Sequence, residues 1–353
     1  MHLIIAEKHD AAKRIAQILS GDKPRPYRIG GVEAFKFDDK VVMGLSGHIV
    51  GVDYPPGYNN WQKVDCKDLI RAEIVVRPIN DKIVNALRSL GKEADRITVA
   101  TDYDREGELI GVEALKIAKE ANPRLMEDRV RYSAIVKDEI LKAFKNAGKV
   151  DYDLAASGEA RQIIDLVWGA ALTRYISLTS GRLGKEFLSV GRVQSPTLAL
   201  IVDREKEIQS FVSKPYWEIY ADLERDLRVQ HARGRIWEKD EVDGIVARLG
   251  PVGIIRSIET KPRVEKPPAP FDTTSFISAA SGIGFSAANA MRIAEWLYVN
   301  GFISYPRTDN TVYPPSIDLV ALTRLFTRGE FSKEAEKLLG GKMVPTRGKR
   351  STT

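Results

Sequence analysis

The sequence predicts a multidomain protein in which an α/β domain is followed by mainly helical domains and one β-rich segment. Three observations predict this class. Within residues 1–150, short aliphatic runs end in polar or acidic residues and lead into helix-like segments. From residue 151 onward helical periodicity dominates, but after Pro215 the hydrophobic period falls to two. A chain of 353 residues is also too long for one ordinary core, so two to four domains are expected.

The composition is that of a soluble globular protein, with 43% hydrophobic and 29% charged residues. A net charge of +6 permits a polyanionic partner without requiring one. The single cysteine, Cys66, excludes a disulfide framework and a cysteine-based zinc ribbon within these residues. No apolar run reaches the ~18–20 residues that span a bilayer, and residues 3–6 meet Glu7 and Lys8 at once, unlike a signal peptide. We therefore expect a cytoplasmic protein with no membrane partner.

The first predicted element is a buried parallel strand, residues 3–6, which ends at Glu7. Asp10 is suited to cap the helix that follows, and Gly21 to end it. A carboxylate thus lies where a strand passes into a helix, and ligands of α/β sheets bind at the carboxyl ends of strands. Further strands are predicted at residues 34–37, 41–45, 72–76 and 131–135. His48 follows the second of these in a glycine-flanked bend, where a histidine is more often structural than catalytic.

An acidic cluster directly follows the strand predicted at residues 96–100. Asp102, Asp104 and Glu106 occupy alternate positions, and an amphipathic helix comes after them. Carboxylates this close repel one another unless a cation or a proton offsets their charge. Hard oxygen ligands at a strand end suit Mg²⁺, and Glu7 supplies another strand-end carboxylate. The alternative is a solvated acidic turn that caps the helix.

Residues 151–208 are mostly helical in pattern. Arg161 and Asp165 stand four positions apart, either as a surface ion pair or as contacts to a base edge and a phosphate. The small and polar residues 188–197 open a further helix, whose N-terminus would present free N–H groups to an anion. The polar residues beside that terminus suggest a cradle for a nucleic-acid backbone: Arg192, Gln194 and Ser195.

The β-rich segment is predicted from alternating residues at 216–223 and 252–258. The proline-rich residues 261–270 predict an extended linker. Two helices follow it, one capped at position 272 or 273 and one capped by Ser286.

Residues 301–309 form an apolar, extended-looking segment after the second of these helices. Helix, turn, helix and strand in this order resemble a winged-helix layout, a common DNA-facing design. Tyr305 and Arg307 are two apart, so in an extended backbone they share a face. A phenol that can act as a nucleophile beside a guanidinium that can grip phosphate is a phosphoryl-transfer pair. The alternative is a buried tyrosine next to a surface arginine.

Several segments, in the same order along the chain, resemble the motifs of one family. Glu7 with residues 101–108 resembles the Toprim domain, which primases and some nucleases also contain. The remaining segments resemble type IA DNA topoisomerases: residues 160–162, 189–196, 267–271 and 301–309. Lys8 directly after Glu7 is most similar to the archaeal members. The resemblance covers essentially the whole chain.

This resemblance implies roles for the matching positions. Tyr305 would be the nucleophile that forms a 5′-phosphotyrosyl link, with Arg307 and Lys8 stabilising charge on the cleaved phosphate. Glu7 would handle the proton on the 3′ oxygen. Mg²⁺ would be held by four carboxylates: Glu7, Asp102, Asp104 and Glu106. Contacts to single-stranded DNA would come from a larger set: His48, Arg161, Asp165, Ser189, Gly191, Arg192, Val193, Gln194, Ser195 and Arg307.

The resemblance also implies a domain plan and a partner. We expect a Toprim domain with a Rossmann-like parallel sheet at residues 1–150 and the first part of a helical DNA-binding domain at 151–213. The first part of a β-rich gate domain is expected at 214–266 and a helical, winged-helix-like tyrosine domain at 267–353. Members of this family fold as a ring, in which the chain returns through the gate and helical domains after the tyrosine domain. Segments for this return are not found in the sequence. We therefore expect an N-terminal part that needs a C-terminal segment or a second subunit, and otherwise a monomer. Its expected substrate is single-stranded or negatively supercoiled DNA, in the cytoplasm and associated with the nucleoid.

The leading hypothesis is an ATP-independent type IA topoisomerase, an isomerase that cleaves one strand, passes DNA and religates. The first alternative is a fragment that binds and cleaves single-stranded DNA but cannot complete strand passage. A further alternative is another Toprim enzyme, a nuclease or a primase, but the tyrosine motif argues against it. The topoisomerase module of a reverse gyrase is the last alternative, but no P-loop for ATP is found in the sequence.

Overall fold

A computed structural model describes residues 1–21, 23–224, 226–313 and 317–350. The strands are β1 (His2–Ala6), β2 (Arg25–Ile29), β3 (Val32–Phe37), β4 (Lys40–Gly44), β5 (Val50–Asp53), β6 (Val75–Pro78), β7 (Arg96–Val99), β8 (Met126–Arg129), β9 (Tyr220–Leu223) and β10 (Leu227–Gln230). The α-helices are α1 (His9–Ser20), α2 (Asp68–Arg71), α3 (Asp81–Glu93), α4 (Arg105–Ala121), α5 (Lys137–Lys145), α6 (Tyr152–Thr179), α7 (Gln194–Ser210), α8 (Lys239–Val246), α9 (Thr273–Gly282), α10 (Ala287–Val299), α11 (Leu319–Arg324) and α12 (Ser332–Leu339). The chain divides into two compact units, Met1–Gly191 with Lys266–Thr353, and Arg192–Glu265.

A six-stranded sheet in the order β2-β3-β4-β1-β7-β8 organises the first unit. Strands β4, β1, β7 and β8 are parallel, as predicted, but β2 and β3 are antiparallel to their neighbours, so the sheet is mixed. The connections explain the difference. The two-residue turn Gly30-Gly31, with positive φ at both positions, joins β2 to β3, and so short a connection can join only antiparallel strands.

Helices cover both faces of this sheet. On β1, Leu3 and Ile5 pack into a core with α3 and α4, whereas Ile4 and Ala6 pack into a second core with α1, α5 and α10. The alternation follows from the two-residue period of a strand, which sends successive side chains to opposite faces. A strand buried on both faces reads as a continuous aliphatic run, which is why residues 3–6 are apolar throughout.

Two strands predicted for this unit are wrong in position. Residues 72–76 do not join the six-stranded sheet, since β6 begins at Val75 and pairs with β5 in a separate two-stranded sheet. Residues 131–135 are not a strand, since β8 ends at Arg129. Tyr132 and Ile135 are nevertheless buried, which accounts for the apolar pattern. The backbone of this segment instead bonds to residues 301–309, where the Tyr305 N–H donates to the Ser133 carbonyl at 2.8 Å.

The predicted helices of this unit are confirmed, but the predicted cap of α1 is wrong: Lys8 is its N-cap, and Asp10 lies within its first turn. Asp151 caps α6, and Gly158 brings α6 close to α4, because a Cβ there would lie 2.9 Å from the Arg105 carbonyl oxygen. Asp272 forms a capping box at α9, and Ser286 caps α10. The strand expected after α10 is absent: residues 301–309 form bends rather than a strand, so the winged-helix likeness ends at the two helices.

The second unit contains α7, the β9–β10 hairpin and α8. The strand predicted at residues 252–258 is wrong: these residues form no strand, and Val252, Ile254 and Ile258 are 79–86% exposed. Within the described part of this unit the alternating side chains find no sheet face to cover. No helix in the described ranges combines the length and apolar character that a membrane crossing needs.

Candidate active site

The candidate site lies at the carboxyl ends of β1 and β7. These strands are parallel neighbours, with Ile5 in register with Val99, so Glu7 and Asp102 follow adjacent strand ends at one edge of the sheet. Asp104 is the N-cap of α4, and its Oδ1 accepts a hydrogen bond from Gly107 N at 2.8 Å. Strand pairing therefore brings together the acidic residues that the sequence places far apart.

The Tyr305 hydroxyl reaches this acidic edge. It donates a hydrogen bond to Asp104 Oδ2 at 2.5 Å, although the two residues lie 201 positions apart. Burial, followed by the nearby carboxylates of Asp102 and Asp104, raises the pKa of the Tyr305 hydroxyl far above its ordinary value. Sequence spacing predicted that this phenol shares a face with the Arg307 guanidinium. Instead the Tyr305 hydroxyl faces carboxylates, which keep it protonated. Asp104, to which it is hydrogen-bonded, can accept its proton.

Three contacts fix the segment that carries Tyr305. Gly301 adopts φ +78°, and a Cβ at this position would lie 2.9 Å from the Ile135 carbonyl oxygen, so glycine is required on two grounds. Beyond the tyrosine, the Thr273 hydroxyl at the start of α9 donates to the Thr308 carbonyl, and the Thr308 N–H donates to that hydroxyl in turn. The tyrosine is thus positioned by both the sheet domain and α9.

A second tyrosine, Tyr298 on α10, completes the contact. Its hydroxyl donates to Asp102 Oδ1 at 2.9 Å, and its ring meets the Tyr305 ring edge-on with centroids 5.1 Å apart. The sequence predicts Tyr298 only as part of the apolar face of α10, and it is 3% exposed. A buried tyrosine needs a partner for its hydroxyl, but nothing in the sequence indicates that this partner is Asp102.

The half-buried carboxylate of Glu7 and the buried carboxylate of Asp102 are chemically suited to a divalent cation. Burial and the charge of Asp102 raise the pKa of Glu7 to about 8, while Lys8 offsets part of this effect. Burial also raises the pKa of Asp102, against the hydrogen bond from Tyr298. A hard cation with oxygen ligands would relieve this repulsion. Among the described residues no three His, Cys, Asp or Glu side chains converge as a ready-made ligand set, because Asp104 is bonded to Tyr305 and Glu106 to Arg161 and His48.

The two cations predicted to grip phosphate share one carboxylate. Glu295 on α10 lies 3.4 Å from Lys8 Nζ and accepts hydrogen bonds from Arg307 Nε at 3.0 Å and from its terminal nitrogen at 2.5 Å. The Arg307 guanidinium is therefore paired with Glu295 and is not reserved for Tyr305. Sequence patterns place Glu295 on a helix without indicating that it lies between these two cations.

Glu106 belongs to a second polar cluster, between α4 and α6. Arg161 donates to its Oε1 at 2.6 Å, and His48 Nε2 lies 3.1 Å from its Oε2. His48 Nδ1 lies 3.0 Å from Glu113, and this hydrogen bond is the largest of the effects that raise the pKa of His48. Gln162 Nε2 is 3.2 Å from the same ring. The bend containing His48 is thus tied to the acidic helix α4, and a role of His48 in DNA binding stays a prediction.

Comparison with known proteins identifies the family. Residues 2–135 match the model of the Toprim domain, and residues 149–352, more than half of the chain, match a model described as DNA topoisomerase. The chain belongs to the type IA DNA topoisomerase family. It is 48% identical to DNA topoisomerase 1 of Archaeoglobus fulgidus and 44% identical to that of Thermoplasma acidophilum. Each alignment covers 99% of this chain, but only 52% and 46% of the respective relative.

A solved structure shares the fold of this type IA chain. Full-length topoisomerase I from Thermotoga maritima superimposes with a TM-score of 0.64 and 29% identity, over 92% of this chain and 52% of that one. The chain therefore spans about half the length of the relatives it matches. The predicted division into four domains remains a prediction.

Within this type IA chain, Arg129 holds the acidic loop in place, although no sequence pattern singles it out. It is 1% exposed, pairs with the fully buried Glu108 at 2.7 Å, and donates to the carbonyls of Thr101 and Asp102, each at 2.8 Å. Gly107 closes the same loop, because a Cβ there would overlap the Asp102 carbonyl oxygen. These contacts fix the backbone on which Asp102 and Asp104 stand.

The other residues predicted to contact DNA are distributed over both units. Asp165 lies 3.9 Å from Arg161, which fits the surface-pair alternative, while Ser189 and Gly191 lie in the loop after α6. The remaining members belong to the second unit, at the start of α7: Arg192, Val193, Gln194 and Ser195. The helix predicted to open at this segment is confirmed, and its first turn carries no acidic residue. Their role in DNA binding stays a prediction.

The raised pKa of Glu7 gives this type IA site a pH-dependent stability. Between about 4.5 and about 8 the folded protein holds a proton that the unfolded chain releases, so the free energy of unfolding falls as pH rises through this window. In EDTA, the melting temperature of the parent chain is expected to fall relative to that of Glu7→Gln between pH 5 and pH 8.5. The exposed Glu334→Gln is the control for net charge. A difference that stays constant with pH would contradict the assignment.

Proposed function

We propose that this chain performs the cleavage and religation chemistry of a type IA topoisomerase on single-stranded DNA. Tyr305 Oη attacks a phosphodiester, so that the Oη–P bond forms as the P–O3′ bond breaks. The phenolic proton passes to Asp104, and the departing 3′ oxygen takes a proton from Glu7. The products are a 5′-phosphotyrosyl link and a free 3′-hydroxyl, and the reverse steps religate the strand. The observation that supports this best is the 2.5 Å hydrogen bond from Tyr305 to Asp104.

The proton inventory of the site favours this route. Glu7, with a pKa of about 8, retains a proton at neutral pH and so has one to donate. Tyr305 is too weak an acid to ionise alone, since burial and neighbouring carboxylates raise its pKa, so its proton must leave as the bond to phosphorus forms. Because the phosphodiester is exchanged for a phosphotyrosine, neither ATP nor hydrolysis is needed.

The phosphate would be held by Lys8 and Arg307. Both now contact Glu295, so an incoming phosphate would take the place of that carboxylate between the two cations. Arginine suits this role because its planar fork binds two phosphate oxygens at once.

Mg²⁺ is the cofactor we propose. Asp102 and Asp104 would hold it, Glu106 would join after releasing Arg161 and His48, and Glu7 would join once it has given its proton to the 3′ oxygen. The ion would supply positive charge that lowers the repulsion between these carboxylates and the DNA phosphates. The residues themselves orient the tyrosine, through the hydrogen bond to Asp104 and the packing of the Tyr298 ring.

Two measurements test this proposal. The chain is incubated with end-labelled single-stranded DNA and Mg²⁺, stopped with detergent and examined for a covalent adduct on a denaturing gel. Relaxation of negatively supercoiled plasmid is then assayed separately. Because the relatives are about twice as long, strand passage is a separate question from cleavage. An adduct without relaxation would identify a chain that cleaves DNA without completing strand passage, and no adduct would contradict the proposal.

Glu295 is predicted to weaken DNA binding by competing with phosphate. In Glu295→Gln the side chain keeps its shape but loses its charge, so Lys8 and Arg307 become available to the strand. Partly exposed ion pairs contribute up to about 1 kcal/mol, so affinity for a single-stranded oligonucleotide is expected to rise about five-fold. The slope of log affinity against log salt should steepen by ~0.7 per added phosphate contact.

Fluorescence anisotropy across a salt series measures this effect. Glu336→Gln, which removes one exposed carboxylate from α12, controls for the change in net charge. If both variants bind alike, the gain is a general electrostatic effect and the local competition is refuted.

A further inference from the structure

A basic cavity lies between α1 and α10, outside the cluster of acids and tyrosines. It has a volume of about 490 Å³, within the range of small-ligand sites. Four cationic side chains line it: Lys8, Lys13, Arg14 and Arg292. Among the described residues that line it, Asp10 and Glu295 are the acidic ones, and Glu295 is already paired with Lys8. Its surplus of positive charge favours an anion.

Two features of the wall indicate what kind of anion fits. Arg14 Nε is buried and has no hydrogen-bond partner within the described protein, so a donor remains available there. Trp296 also lines the cavity, is 59% exposed, and stacks on Phe302 with ring centroids 6.1 Å apart; Phe302 is 70% exposed. Exposed aromatic rings beside cations bind nucleotides, because bases stack on the rings while phosphates contact the cations.

The cavity is connected to the tyrosine through shared residues. Lys8 and Glu295 line it, and Glu295 also holds Arg307, two positions from Tyr305. It lies on the α1 and α10 face of the sheet, whereas the cluster of Glu106 and Arg161 lies between α4 and α6, and α4 covers the opposite face. A DNA strand that passes Tyr305 at the carboxyl edge of the sheet, coming from the α4 face, would therefore reach the cavity on the α1 and α10 face.

We propose that this cavity binds the first nucleotide on the 3′ side of the cleaved bond, with its base on Trp296 and the next phosphate along the strand on Arg14 and its cationic neighbours. The direction in which the DNA strand runs through the cavity rests on the proposed function. In that chemistry the phosphate kept by Tyr305 and Arg307 is the 5′ phosphate of the downstream segment, and the cavity adjoins these residues. The site would hold the covalently linked end while the strand is open.

The first test measures binding without cleavage. In a Tyr305→Phe background, Trp296→Ala and Arg14→Ala are titrated with fluorescein-labelled oligothymidylate of about 20 nucleotides. Each is expected to weaken binding about ten-fold, and Arg14→Ala to lower the salt slope by ~0.7. Trp296→Phe keeps an aromatic face and should retain most of the affinity. Lys92→Ala, an exposed cation at the end of α3, is the matched control.

The second test locates the nucleotide. With Tyr305 intact and a mapped cleavage site, the oligonucleotide is shortened from its 3′ end. Adduct yield should drop when the first downstream nucleotides are removed, and Trp296→Ala should be insensitive to this shortening. If the parent forms no adduct while the cavity variants still weaken binding, the cavity is supported as a strand site and the cleavage chemistry fails. If adducts form and every cavity variant binds and cleaves like the parent, the cavity proposal is overturned and the cleavage proposal stands.

Discussion

Replacing Tyr305 by phenylalanine is expected to abolish the covalent protein–DNA adduct completely. The substitution removes one oxygen and keeps the ring that packs against Tyr298, so the fold should be retained. Without the hydroxyl no bond to phosphorus can form, whatever the state of Asp104. The measurement uses one oligonucleotide labelled at either end. With the intact tyrosine, the 3′ label should stay on the protein, because the downstream segment is linked through its 5′ phosphate.

Tyr298→Phe is the matched control for this experiment. It removes the neighbouring phenol, 5.1 Å away between ring centroids, and leaves Asp102 without its hydroxyl donor. The adduct should still form, although in altered yield, because Tyr298 is buried and bonded to Asp102 rather than placed to attack. If Tyr305→Phe still formed the adduct and Tyr298→Phe did not, the nucleophile would be Tyr298 and the assignment to Tyr305 would be wrong.

Arg129→Met is expected to cause the largest loss of stability. The substitution removes the cation that is hydrogen-bonded to the fully buried Glu108 carboxylate and leaves it only the more distant Arg131, at 3.8 Å. Breaking such a pair costs about 3–5 kcal/mol, which corresponds to a fall in melting temperature of roughly 6–20 °C. The loop bearing Asp102 also loses two hydrogen bonds, so adduct formation should fall in parallel. Thermal denaturation followed by circular dichroism measures the effect.

Two variants control this prediction. Arg88→Met breaks an exposed pair with Glu120 at 3.2 Å, and it should lower stability by no more than about 1 kcal/mol. The double variant Arg129→Met, Glu108→Gln removes the charge left behind and should recover part of the loss. Equal effects of Arg129→Met and Arg88→Met would show that the buried pair does not hold the acidic loop.

Local pattern predicted most of the first unit because its elements are consistent with their surroundings. The strands at residues 3–6 and 96–100 are aliphatic since both faces of the sheet are covered, and Asp272, Ser286 and Gly21 lie at helix ends where local chemistry favours them. Prediction was wrong where an apolar run is buried without pairing, at residues 131–135, and where alternation finds no sheet, at residues 252–258. Periodicity reports which side chains avoid water, not which backbone groups pair.

The candidate site was predicted in its acids and its tyrosine but not in their connections. Glu7, Asp102 and Asp104 could be placed together because parallel strands end at a common edge. Tyr298, Glu295 and Arg129 carry no local signal, since each looks like an ordinary residue of its helix or strand.

The sequence by itself determined the chemical groups and the family: carboxylates at strand ends, a tyrosine two residues before an arginine, and motifs in a recognisable order. Only the tertiary structure decided their state. It placed Tyr305 against Asp104 across 201 positions, so that the phenol meets carboxylates rather than cations, and it turned Lys8 and Arg307 toward Glu295. The physical reason is that charge and burial at a site depend on every element packed there, whereas sequence spacing reports only the neighbours along one strand or helix.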